Sequence, residues 1–80
     1  MNEFQKEVIE FIGCNEDEYT VYLNAGVIEI KINNDKWIEI FTNGLINCWD
    51  FDIKYTQYNN KLLNISKEEA RKIYRLRNFE

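Results

Sequence analysis

The sequence predicts an α+β domain: an N-terminal helix, a four-stranded antiparallel β-meander and a C-terminal helix, in the order α-β-β-β-β-α. Three observations carry this prediction. Apolar residues recur with a helical period at both ends of the chain, and between those ends the period falls to two. The period-two segments are separated by short Asn- and Gly-containing joints of hairpin length. The chain's 80 residues form one domain, 1–80, with no linker, repeat or low-complexity segment. A chain this short hides only ~60% of its unfolded surface, which leaves little core for a deep cleft.

The first helix opens at Asn2, with Gln5 three residues on as its capping-box partner. Phe4, Val8, Phe11 and Ile12 then form one apolar stripe, Glu3, Glu7 and Glu10 share another face, and Gly13 is the natural stop. From Tyr19 the alternation begins. "EYTVYL" turns Tyr19, Val21 and Leu23 to one side, and "VIEIKI" turns Ile28, Ile30 and Ile32 away from Glu29 and Lys31. "KWIEIF" sets Ile38 and Ile40 against Trp37, Glu39 and Phe41. The joints are Asn24-Ala25-Gly26, Asn33-Asn34-Asp35 and Asn43-Gly44, the last being the strongest short hairpin signal because both residues tolerate positive φ.

The fourth strand is expected over about 45–54. Leu45, Trp49, Phe51 and Ile53 anchor one side, while Ile46, Cys48, Asp50 and Asp52 line the other, with the acids outward. Its first half alternates poorly, since Asn47 falls among the apolar residues. A polar loop, "TQYNNK", follows. Ser66 and Glu69 then form a second capping box, with Ile65 and Ala70 as its staple. The last helix is expected to run to about Asn78, with Ala70, Ile73 and Tyr74 inward and Arg71 and Arg75 on its outer face.

Charge is unevenly spread. The net charge is −4, but residues 1–60 carry eleven acids against four lysines, whereas residues 61–80 carry six cations against three acids. An acidic body with a basic end suits a basic partner, because carboxylates held on a rigid sheet can compete for a nucleic-acid groove. Tyr22, Glu29, Trp37 and Glu39 share the strand side opposite the isoleucines, and Glu16-Asp17-Glu18 form a cluster that no turn geometry requires. If both helices cover the isoleucine side, the acid-aromatic face is a surface. If one helix covers each side, its aromatics are core.

Catalysis is not expected. There is no His, which removes the commonest general base near neutral pH and the commonest metal ligand. Asp50 and Asp52 make a D-x-D pair ~7 Å apart by strand rise, but no third ligand cluster or Gly-rich phosphate loop accompanies them. No metal or cofactor is therefore expected. Cys14 and Cys48 read as small hydrophobes in a reducing compartment rather than as a zinc or redox site. No apolar run approaches membrane-spanning length, and the acidic N-terminus lacks the features of a signal peptide, so a cytoplasmic protein without membrane contact is expected.

The order of a short helix, "EYTVYL", "VIEIKINND" and "KWIEIF" resembles the small acidic phage anti-CRISPR proteins that inhibit type II RNA-guided nucleases. The resemblance covers about residues 2–41. It implies a non-enzymatic inhibitor acting in a host bacterial cell, whose carboxylates occupy the DNA-reading groove of a nuclease. This sequence departs from that family in its C-terminal part, where a fourth strand and a basic helix stand in place of further acids.

The leading expectation is thus an inhibitor of a basic, nucleic-acid-handling protein, with an RNA-guided nuclease as the candidate target. Its contacts are Glu16, Asp17, Glu18, Tyr22, Glu29, Trp37, Glu39, Asp50 and Asp52. Two alternatives remain: a structural or regulatory phage or bacterial interaction module that self-associates, head-to-tail or as a two-fold homodimer, through its opposite charges, and direct nucleic-acid binding through Lys67, Arg71, Lys72 and Arg75. The acidic net charge disfavours the latter.

Overall fold

The structure, a computed structural model, describes residues 1–50 and 61–77. Helix α1 spans Glu3–Ile12, and a single 3-10 turn, Glu16–Glu18, leads into strand β1, Tyr19–Tyr22. Strands β2 (Val27–Asn33), β3 (Lys36–Phe41), β4 (Ile46–Asp50) and β5 (Lys61–Asn64) follow, and helix α2 (Lys67–Arg75) closes the order. The five strands form one antiparallel sheet in sequence order. The α+β class, the two terminal helices and the four successive strands are as the sequence predicts. Strand β5 is an addition, drawn from "KLLN" after the expected loop. Helix α2 stops at Arg75, short of the expected Asn78.

Both helices lie on the same face of the sheet. Ile28, Ile30, Ile38 and Ile40 are fully buried there beneath Val8, Ile9 and Ile12 of α1 and Ala70 and Tyr74 of α2. At ~25 cal/mol per Å² of buried apolar surface, this layer is the main source of folding free energy.

The helix ends form as their caps dictate. Asn2 Oδ1 accepts from the Gln5 amide while Gln5 Oε1 accepts from the Asn2 amide, each at 3.0 Å. Ser66 and Glu69 repeat the exchange on α2. Gly13 ends α1 at φ 78°, a left-handed conformation that a side chain would strain.

The buried stripe of α1 differs from the expected one. Gln5, Val8, Ile9 and Ile12 are buried, whereas Phe11 is only half-buried. Phe11 lies beside α2, with the Arg71 guanidinium 4.1 Å and the Lys67 ammonium 4.9 Å from its ring centre. Arg71 therefore does not stand on the outer face. It packs between the helices, where a cation over an aromatic ring is favourable.

Strand β4 also turns the other way from expectation. Ile46 and Cys48 stand opposite Ile40 and Ile38 and are buried with them, while Leu45 is exposed and Trp49 faces away from the helices with Asn47. The physical reason is continuity, since Ile46 and Cys48 extend the aliphatic face that the helices cover. The expected strand segment beyond Asp50, with Phe51, Asp52 and Ile53, and most of the "TQYNNK" loop lie outside the described residues.

Candidate functional site: the outer sheet face

Because the helices share one side, the alternate residues of every strand make an outer face that neither helix covers. Register fixes which side chains meet on it. Tyr22, Val27 and Phe41 form an apolar row at one end, and Lys31, Trp37 and Trp49 form a row toward the other. Between them runs a polar row: Thr20, Glu29, Glu39, Asn47 and Asn64. Most of this face is half-buried by its own neighbours, with Thr20, Tyr22, Lys31 and Asn64 exposed.

Glu29 and Glu39 stand directly opposite each other in adjacent strands. Side chains so placed have Cβ atoms ~5 Å apart, and like charges there are destabilising. Trp49 Nε1 donates a hydrogen bond to Glu39 Oε1, which fixes that carboxylate but leaves its charge in place. Asn47, next along the row from Glu39, is 8% exposed, and its side-chain oxygen has no hydrogen-bond partner among the described residues. A buried acceptor without a partner is itself costly, by about 1–3 kcal/mol. The centre of the outer face thus combines two facing carboxylates and an orphaned acceptor, bordered by aromatic rings. Such a row can receive cationic or hydrogen-bond-donating groups.

The sequence-predicted contact residues do not all gather here. Tyr22, Glu29, Trp37 and Glu39 do. Glu16 and Asp17 are exposed, but at the turn before β1 rather than on the outer face. Asp50 ends β4 with its backbone opposite Lys36, and Asp52 lies outside the described residues.

Glu18 needs correction, since it is bound internally. Its carboxylate accepts from Arg77 Nε at 2.8 Å and Arg77 Nη2 at 3.2 Å, from Asn15 Nδ2 at 2.8 Å, and from the Tyr74 hydroxyl. Arg77 also stacks on the Tyr74 ring, 3.6 Å from its centre. The Tyr74 and Arg77 hydrogen bonds hold the Glu18 carboxyl below its ordinary value, and burial, then the Glu18 contact, pushes the Tyr74 phenol up to about 12. This cluster ties the 3-10 turn to the end of α2. Glu18 is therefore engaged within the chain, unlike the open contact charge that the sequence leads one to expect.

Of the basic residues, Lys67 and Arg71 are drawn over Phe11; Arg71 is half-buried there, while Lys67, Lys72 and Arg75 are exposed. Asn47 and Trp49 are outer-face residues beyond those that the sequence predicts. The signal lay in Asn47, a polar residue in the same alternating row as Trp49. Both cysteines are free thiols, and burial pushes the Cys14 thiol up to about 11, away from nucleophilic use. Among the described residues, no three acidic or sulfur side chains gather to hold a metal, and no helix is long and apolar enough to cross a membrane. The chain matches no family model, no curated protein and no solved structure.

Proposed function

We propose that this chain is a non-enzymatic binding protein whose outer sheet face engages a basic, nucleic-acid-handling protein and inhibits it by occupying the groove meant for nucleic acid. The observation that carries this reading is the Glu29–Glu39 pair, opposed across the ladder on the face that neither helix covers. Stability alone disfavours such a pair. A cationic partner would turn its repulsion into attraction, and local rules broken at a surface are expected where that surface has a use. Tyr22 and Trp37 border the pair as aromatic anchors, a residue class enriched where binding energy concentrates. The resemblance to phage anti-CRISPR proteins makes an RNA-guided nuclease in the bacterial cytoplasm the first target to test.

The test is capture from bacterial lysate on the tagged chain, at about 50 mM and about 200 mM salt, with partners identified by mass spectrometry. Charge-mediated binding falls steeply over that range. The expected result is a basic nuclease or DNA-binding protein, retained at low salt, displaced by added DNA and lost with Glu29→Lys. Recovery that is indifferent to DNA and to Glu29→Lys would overturn the reading.

A further inference from the structure

Among the described residues, strand β1 is an edge of the sheet, paired on one side only by β2. Edge strands are ordinarily blunted by being short, as β1 is, and further by Lys, Pro or a bulge on the strand, because their unpaired backbone groups recruit other strands. Tyr19–Tyr22 carries no Lys, Pro or bulge, and it pairs with β2 in unbroken register. The side chains here are also unusually bare: Val21 is 37%, Tyr22 45% and Leu23 79% exposed, with Met1 lining the same concavity. No residue from Tyr19 through Ile28 is charged, in a chain of net charge −4.

We infer that β1 is a homodimerisation edge. Two copies pair their β1 strands antiparallel about a two-fold axis perpendicular to the sheet, which makes one continuous sheet with the helices of both copies on one side. The axis requires facing residues to lie on the same side of the sheet. Pairing Val21 with its own counterpart meets that condition, and it sets Thr20 against Tyr22 and Tyr19 against Leu23. The pairing covers the bare apolar side chains and satisfies the outer backbone groups of β1.

The occupant is a second copy because an uncharged strand can meet itself without repulsion, while a charged strand from elsewhere would find no counter-charge along residues 19–28. In this register Asp17 of one copy stands level with Ala25 of the other. The two acidic turns are then roughly 20–25 Å apart by strand rise, beyond the ~8 Å screening length at physiological salt. The outer face remains uncovered, so the inference does not depend on the proposed function. A four-residue edge makes a small interface, and a dissociation constant of about 10–100 µM is expected.

Sedimentation equilibrium of the full chain from about 1 µM to about 1 mM tests this directly. The expected result is a rise from one chain mass toward two over that range, undiminished at about 0.5 M salt, with the β1 amides exchanging more slowly at high concentration. Val21→Lys should remain monomeric throughout with an unchanged circular dichroism spectrum, and Arg71→Glu should dimerise as the parent does. A parent chain that stays monomeric at 1 mM would overturn the inference. So would a dimer that salt dissolves, or one that forms equally with Val21→Lys while β1 exchange is independent of concentration.

Discussion

At the scale of single residues, Glu18 shows how a side chain that reads as surface charge becomes an internal tie. Three neighbouring acids before a strand look alike in sequence. Only the return of α2 brings Tyr74 and Arg77 onto one of them. That return is a long-range event, between residues 56 and 59 positions apart, and no local pattern encodes it. The consequence is a pH dependence of known sign. Glu18 titrates below its ordinary value of 4.5 in the folded chain, so its contribution to stability is complete above about pH 4.5 and fades as pH falls through the lower folded value. Glu18→Gln should lower stability at pH 7 by about 1 kcal/mol, a modest figure because the cluster is partly exposed. In a domain of this size that corresponds to roughly 4–8 °C in melting temperature. The gap should narrow when melting is followed by circular dichroism from pH 7 down to pH 3. A variant that melts in parallel with the parent across that range would mean that the cluster contributes nothing through its charge.

At the scale of elements, the features set by nearest neighbours are the ones the sequence discloses. Both capping boxes and the isoleucine alternation are local and form as expected, and the chain reverses at the Asn24–Gly26, Asn33–Asp35 and Asn43–Gly44 joints, although at the last of these only Gly44 takes a positive φ and the connection runs over 42–45. Strand β5 was hidden because "KLLN" is four residues long, follows an Asn-rich stretch, and acquires its strand character only from pairing with β4. The orientation of β4 is not legible locally, because Trp49 is the larger apolar residue yet Cys48, opposite Ile38, is the one that faces the helices. The docking of α1 was equally hidden. Gln5 reads as half of a capping box, yet it is 2% exposed, and its Nε2 donates to Ile40 O at 3.0 Å and Gly26 O at 3.3 Å. One side chain thus caps the helix and ties it to β3 and to the turn before β2. Gln5→Glu keeps the acceptor for Asn2 but removes the donor, and it sets a carboxylate against two carbonyl oxygens. Burying that charge should cost about 2–3 kcal/mol at pH 7. Burial raises the pKa of such a carboxyl, so the penalty grows as pH rises above the ordinary Glu value and shrinks below it. Urea unfolding at pH 7 and pH 4 should show the larger loss at pH 7. Equal losses would locate the cost in shape rather than charge.

At the scale of the whole molecule, the two sides of the sheet divide the work between stability and contact. Ile30 and Glu29 are adjacent in β2 but face opposite ways, one fully buried under the helices and the other on the outer face opposite Glu39. Neighbouring substitutions should therefore have opposite outcomes. Ile30→Ala removes packing from the core centre and should cost about 2–5 kcal/mol, a large part of what a small domain has. Glu29→Lys replaces a like-charge pair by an unlike one across the ladder, and should raise stability by up to about 1 kcal/mol. It should also abolish capture of a basic partner. Denaturant unfolding and partner capture on the same two variants separate the roles. A stabilised Glu29→Lys protein that no longer binds is the outcome expected where a surface trades stability for recognition. If Glu29→Lys instead costs more than about 1 kcal/mol, the carboxylate serves the fold, and the strongest reason for assigning the outer face to a partner is removed.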